Sequence, residues 1–397
     1  MQFHRKTTVG LSTMNVRPGG LRPSLPLAVR LHADTRSQGR GVTIAMIDSD
    51  AVAHPDICQP RERVKAYVNA VNNSVTALPV MPPVSRQWHG TMTACTAAGN
   101  GFLSLGEFSS LAPEADLILI RTMDDRGRIP TSVIVRALTW ILDHAEEYNI
   151  RVVNLSVYAD ELDQTTDHPV NRLVEAVVAA GIIVVAAAGN NPLAPIRPPA
   201  SSPSAITVGG LDDHNSLDDS DNDLYHSTFG ITALGVQKPD VIAPAIWLPA
   251  PILPGTDVHT EAAALCALDA MTDDMLLTTA PRLLPSTKLP IALRTSRNVD
   301  ELRTKIAERL MSESIVSPFY KMVDGTSFAA PIVASIIAQM LEIAPDLSPA
   351  DVKHILVSTA VRLPGHSPLR QGAGVVQQRL ALDMARRRGG SSGRITA

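Results

Sequence analysis

The sequence predicts an α/β fold, a mainly parallel central sheet with helices on both faces, and three observations predict it. Six short runs rich in Val, Ile, Leu and Ala recur along the chain: GVTIAMID (41–48), DLILIRT (116–122), IRVVNLSV (150–157), GIIVVAAAG (181–189), SAITVGG (204–210) and PDVIAPA (239–245). Helical patterns alternate with them, and strands connected through helices run parallel. Within each run the apolar residues are continuous rather than alternating, as expected of strands buried on both faces.

Taken in order, HGTMTACTAAG (89–99) reads as a helix of small residues suited to close packing. TSVIVRALTWILDHAEEY (131–148) is amphipathic, with apolar residues three and four apart and Thr131 or Ser132 as its cap. VNRLVEAVVAAG (170–181) ends on a Gly suited to a helix C-terminus. TSFAAPIVASIIAQMLE (326–342) is nearly all apolar, the pattern of a buried helix. SPADVKHILVSTA (348–360) opens with a Ser–Pro pair, an N-cap followed by the first helical position. Residues 1–40, rich in Arg, Pro and Gly, read as an N-terminal arm ahead of a main domain over 41–385. Residues from about 250 to 320 break the rhythm and carry one clear helix, 299–314, which marks an insertion. The basic, Gly/Ser-rich end, 386–397, reads as a flexible tail.

With 45% apolar and 19% charged residues, the 397-residue chain has the material for a sizeable core, which excludes wholesale disorder. A net charge of −4 spread over mixed signs excludes the strong field that nucleic acid or an anionic membrane surface requires of a partner. Cys58, Cys95 and Cys266 make neither a disulfide framework nor a zinc-ligand spacing and read as small buried hydrophobes. The opening MQFHRKTTVG has no apolar stretch of signal-peptide length, and no run of about 18 apolar residues follows. A cytoplasmic location is therefore expected.

Three side chains placed by these elements can carry chemistry. Asp48, in IDSD, closes the first strand, and in parallel sheets functional groups collect at carboxyl ends. His89, in WHGTMTA, opens the small-residue helix, and Ser327, in DGTSFAAP, stands at the positive end of the buried helix. A Ser hydroxyl is a weak nucleophile and needs a base. An imidazole accepts its proton near neutral pH, and a buried carboxylate holds the tautomer and stabilises the imidazolium. Singly, Asp48 reads equally as a turn carboxylate, His89 as a helix cap and Ser327 as a helix N-terminal hydroxyl. Their joint occurrence points to nucleophilic catalysis.

From about residue 41 to 385 the chain resembles the subtilisin family of serine peptidases. IDSD with AVAHPDI (47–57) resembles that family's Asp motif and the turn after it, and WHGTMTACTAAGN (88–100) its His motif. LAPEADLILIR (111–121) resembles the following strand, VVNLSV (152–157) the substrate-binding strand, and VVAAAGN (184–190) the oxyanion-hole motif. DGTSFAAPIVAS (324–335) resembles the nucleophile motif and QGAGVV (371–376) a late Gly-rich turn, with Asp, His and Ser in the family's order. The resemblance implies a subtilisin-like three-layer sandwich and a serine endopeptidase needing no cofactor for its chemistry. It makes Asp48 the orienting carboxylate, His89 the general base, Ser327 the nucleophile and Asn190 an oxyanion donor beside the Ser327 N–H. It also implies a polypeptide substrate bound as an extended strand along Ser156, Val157 and Tyr158, facing Ala188 and Gly189. Asn154 matches a family Asn and reads equally as a buried amide bonded to neighbouring backbone.

Several positions depart from the family pattern. Asp50 replaces a Gly, and Met92 and Cys95 replace a His and a Gly. Tyr158 stands in place of a Gly at the mouth of the specificity pocket, which a phenol narrows or covers. Asp324 replaces a small polar residue and is expected to raise the pKa of His89. The acidic stretch LDDHNSLDDSDND (211–223) has oxygen donors at alternate positions, which a structural calcium favours, although a solvated loop fits it better. The arm segment LRPSLPLAVRLHAD (21–34) is either a structural strap or an inhibitory segment across the cleft. Two other functional classes stand beside the endopeptidase: a dedicated maturation protease or transpeptidase of narrow range, and a non-enzymatic binding module on a peptidase scaffold.

Overall fold

The computed structural model describes residues 24–80, 83–159 and 167–392. The described residues divide into two compact units, 260–318 and, on either side of it in the chain, 24–259 with 319–392.

The larger unit is built on a nine-stranded sheet. Its main path runs Val241–Pro244, Ile206–Asp212, Ile183–Ala187, Ile150–Leu155, Thr43–Asp48, Asp116–Arg121, Val64–Asn69 and Ser74–Thr76. Neighbours along it are parallel except the last pair, and Asp223–Leu224 adds an antiparallel strand beside Ile206–Asp212. Successive side chains point to opposite faces. Ile44, Met46, Leu117, Leu119 and Val152 accordingly pack with helices Gln87–Ala98 and Thr326–Ile343 on one side. Ala45, Ile47, Ile118, Ile120 and Val153 pack with Thr131–Tyr148 and Pro169–Ala179 on the other. Two buried faces explain the continuous apolar strands and give the three-layer sandwich.

Helix Thr326–Ile343 has the length and apolarity of a membrane span, but 83% of that window is buried in the protein, as suits a core helix. The small-residue helix begins at Gln87, two residues before the sequence expectation, because the Gln87 side chain accepts a hydrogen bond from the Val84 N–H at 2.8 Å and secures its first turn. The cap expected at Thr131 or Ser132 is instead extended Pro130, with Thr131 already helical. Ser348 closes a full capping box with Asp351.

Residues 24–40 run along the larger unit. Arg30 is buried, donates to both carboxylate oxygens of Asp213 (2.8 and 2.5 Å), and reaches the Ile246 and Trp247 carbonyls. Further on, Glu342 accepts the N–H groups of Gln38 and Gly39 at 2.6 Å each. Among the described residues, none of the hydrogen bonds or ion pairs of 24–40 reaches Asp48, His89, Asn190 or Ser327. Residues 1–23 lie outside the described part. Within the segment from 386, which the sequence reads as a tail, the described residues belong to one helix, Gln378–Ser392, anchored through Arg386 to Asp34, and a Cβ on Gly389 would lie 3.3 Å from that of Ala344. The glycine that suggested flexibility lets the helix pack closely. Residues 393–397 lie outside the described part.

In the smaller unit, helix Val299–Ser312 is capped by Asn298. Arg309 on this helix forms a two-pronged pair with Glu261 at 2.8 and 3.1 Å, and Glu261 also accepts the Lys288 N–H.

Candidate active site

Because the central strands are parallel, their carboxyl ends share one rim. Asp48 ends Thr43–Asp48, Ser156–Tyr158 follow Ile150–Leu155, and Ala188–Asn190 follow Ile183–Ala187. Helices Gln87–Ala98 and Thr326–Ile343 start there, so His89 and Ser327 sit in first turns.

Asp48 and His89 are joined directly, Oδ1 to Nδ1, at 2.6 Å. The Asp48 carboxylate is buried and also accepts from the Ser49 N–H at 2.6 Å and the Thr93 hydroxyl at 2.8 Å. Burial works to raise its pKa, and His89 with these donors outweighs it, holding the carboxyl below its ordinary value. For His89, burial pulls the imidazole pKa down, but the charge and hydrogen bond of Asp48 prevail and it is raised above 6.5. Asp324 takes no part in this shift. Its carboxylate accepts from the Tyr225 hydroxyl at 3.1 Å, so the expected effect on His89 is not found. Gly90 permits the close fit of helix to strand, since a Cβ there would run into the Asp50 carbonyl.

Ser327 is half-buried, and the ring of Phe328 beside it lies 5.9 Å from the His89 ring. Its hydroxyl donates to the Ser156 carbonyl at 3.2 Å, while the Ser156 hydroxyl donates to the Ser327 carbonyl at 2.8 Å. Asn154 supports this exchange by donating to Ser156 Oγ at 2.9 Å, so its bond is to a side chain and not to backbone. Asn190 Oδ1 accepts from the Thr326 N–H and hydroxyl at 2.9 and 3.0 Å. That turns Nδ2 towards Gly325, where a Cβ would stand 3.2 Å away. Gly325 has φ +134°, a conformation an L side chain rarely adopts. The site thus gathers a serine hydroxyl, an imidazole paired with a buried carboxylate and a side-chain amide, groups that acyl transfer can use.

Sequence reading missed Thr93, although it lies four residues after His89 on the same helix face. It also missed Thr326, which ties Asn190 and the Gly189 N–H to the nucleophile turn.

The departures find physical roles. Asp50 is fully buried in ordinary backbone and accepts from the Ala51 N–H (2.7 Å), the Tyr67 hydroxyl (2.6 Å) and Arg86 (2.7 Å). Met92 and Cys95 face the core. All three cysteines are free thiols. Val157 is half-buried, and Tyr158 is 48% exposed with the Arg197 guanidinium 5.0 Å from its ring centre.

The carboxylates of 211–223 do not converge: Asp213 pairs with Arg30, Asp212 accepts from Trp247, Asp218 caps Ser220 and Asp221 accepts from Ser216. This stretch therefore does not fit a calcium ion, which needs several oxygens on one centre. Among the described residues only His54, Asp56 and Cys95 gather three metal-type donors, all within 4.8 Å. They do not fit a metal either. His54 Nδ1 already accepts the Asp56 N–H, Asp56 accepts from Leu103 and Tyr320, and burial drives the Cys95 thiol well above its ordinary pKa.

A mainly parallel sheet presenting an Asp–His pair and a helix-borne Ser on one rim defines the class as α/β with a polar site at the strand carboxyl ends. Within that class, residues 39–374 match the Subtilase family (Peptidase S8), and the chain belongs to it. It is similar to serine protease AprX of Bacillus subtilis, 29% identical over 85% of this chain and 65% of AprX. Subtilisin BL of Lederbergia lenta is 29% identical over 45% of this chain and 58% of that protein. The chain thus spans about two thirds or less of the length of these relatives. In fold it resembles the S41 psychrophilic protease (TM-score 0.59, 20% identity, 86% of this chain, 92% of that one). It also resembles the prenylagaramide maturation protease PagA (TM-score 0.54, 15% identity, 90% and 96%).

Proposed function

We propose that the chain is a serine endopeptidase that hydrolyses peptide bonds through an acyl-enzyme. The observation that carries this reading is the 2.6 Å Asp48–His89 pair on the rim that also presents Ser327 and Asn190. The names of relatives such as serine protease AprX and subtilisin BL support it.

In this mechanism the Ser327 hydroxyl rotates from the Ser156 carbonyl to His89 Nε2. Apo catalytic hydrogen bonds commonly tighten only when substrate is bound. Ser327 Oγ adds to the scissile carbonyl as its proton passes to His89, and Asp48 holds the Nδ1 proton and stabilises the imidazolium. Asn190 Nδ2 and the Ser327 N–H receive the oxyanion. His89 then gives its proton to the departing amine, and water, deprotonated by His89, releases the acyl group. No cofactor enters these steps. A polypeptide adds as a strand along Ser156–Tyr158, its main chain supplying affinity.

A second reading, an enzyme restricted to few sequences, is favoured by the Arg197 guanidinium 5.0 Å from the Tyr158 ring centre, beside the segment along which substrate is proposed to add.

Fluorophosphonate labelling of wild type and Ser327→Ala tests the proposal. Labelling that vanishes in the variant supports it, and absence of labelling in folded wild type rejects it in favour of a binding module.

A further inference from the structure

We propose that Arg197 reads an acidic side chain of the substrate, at the residue immediately before the cleaved bond. This rests on the serine-peptidase reading and gives it a substrate class: polypeptides cut after Glu or Asp.

A chain whose carbonyl carbon meets Ser327 Oγ, and whose preceding residues pair along Ser156–Tyr158, directs the side chain next to that carbonyl between two walls. One wall is 156–158 and the other 188–190, which follow adjacent parallel strands in register, Leu155 beside Ala186. Arg197 spans them. Its neighbour Ile196 is buried with Ala186, Ala188 and Ala200, which fixes the base of the side chain to the second wall. Its guanidinium reaches the first wall, 5.0 Å from the centre of the Tyr158 ring. Pro195, Pro198 and Pro199 restrict the backbone around it, so little freedom remains to be lost on binding.

Among the described residues nothing neutralises the charge at this place. Arg197 is half-buried, yet among the described residues no carboxylate pairs with it and no hydrogen bond uses its donors. The contact with Tyr158 is a cation–π one that uses no N–H donor, so among the described residues the N–H groups remain available for a two-pronged carboxylate contact. Tyr158, which by its bulk narrows the cleft, acts here as the platform that aims the cation. A Lys or Arg side chain entering the same space meets a like charge, and a large apolar one must desolvate the guanidinium.

The test uses peptides differing only at the residue before the cut (Glu, Gln, Ala, Phe or Lys), with wild type and Arg197→Glu, alongside fluorophosphonate labelling. Wild type is expected to favour Glu over Gln by about tenfold or more in kcat/KM, the size of one charge-assisted contact. High salt should shrink that ratio, and Arg197→Glu should rank Lys above Glu. Wild type that is labelled and cuts the neutral peptides without favouring Glu overturns this inference and leaves the peptidase reading intact. A Glu preference that persists in Arg197→Glu overturns the assignment to Arg197. Folded wild type that is neither labelled nor active on any peptide overturns both. Should Arg197→Glu not fold, the wild-type Glu-to-Gln ratio and its salt dependence still decide.

Discussion

Ser156 and Ser327, 171 positions apart, each donate a side-chain hydrogen bond to the other's carbonyl, at 2.8 and 3.2 Å. The first ties the turn at Ser327 to the strand along which substrate is proposed to bind, and in the proposed mechanism the second breaks as Ser327 turns to His89. Ser156→Ala is expected to leave the fold intact and lower the rate of Ser327 labelling by about tenfold, the effect of one lost neutral hydrogen bond. Stopped-flow labelling beside circular dichroism checks it.

The pH profile follows from His89. Its pKa lies above 6.5 because Asp48 outweighs burial, so the neutral base is lost as pH falls through that raised value. The acid limb of kcat/KM should therefore lie above pH 6.5. Asp48→Asn removes the raising partner and leaves burial, so the limb should move below 6.5 while kcat falls by about 10⁴-fold. In stability, the raised His89 pKa helps most below 6.5, and that contribution fades as pH rises through the folded value.

Asn190→Ala should reduce kcat by about 10²- to 10³-fold with little change in KM, because its amide matters at the oxyanion and not in the ground state. Steady-state kinetics on one good peptide separates the two.

Removing Asp50 strands buried donors. Asp50→Ala leaves Tyr67, Arg86 and Arg121 facing an uncharged gap and should cost about 3 kcal/mol in urea unfolding, against about 1 kcal/mol for Tyr67→Phe. Equal losses for the two variants would show that the carboxylate contributes nothing beyond the tyrosine bond.

Arg30 tests the role of the arm. Arg30→Ala opens a buried two-pronged pair and is expected to cost about 3–5 kcal/mol, with Arg30→Lys recovering only part of it. Labelling per folded molecule should stay unchanged, as for a strap. A rise would mean that this segment restrains the site.

The α/β class, the three-layer arrangement and the positions of Asp48, His89 and Ser327 were all legible in the sequence. Periodicity reports which faces are buried, and parallel strands joined through helices place their carboxyl ends on one rim. What residues meet across that rim was decided only in three dimensions. The exchange between Ser156 and Ser327, the buried Asp50 cluster and the approach of Arg197 to Tyr158 leave no periodic trace. The same holds at the C-terminal end, where a Gly-rich segment that reads as flexible becomes helix because Arg386 and Gly389 find Asp34 and Ala344. A local pattern encodes the burial of a side chain. Its partner is chosen by packing between segments that are distant in the chain.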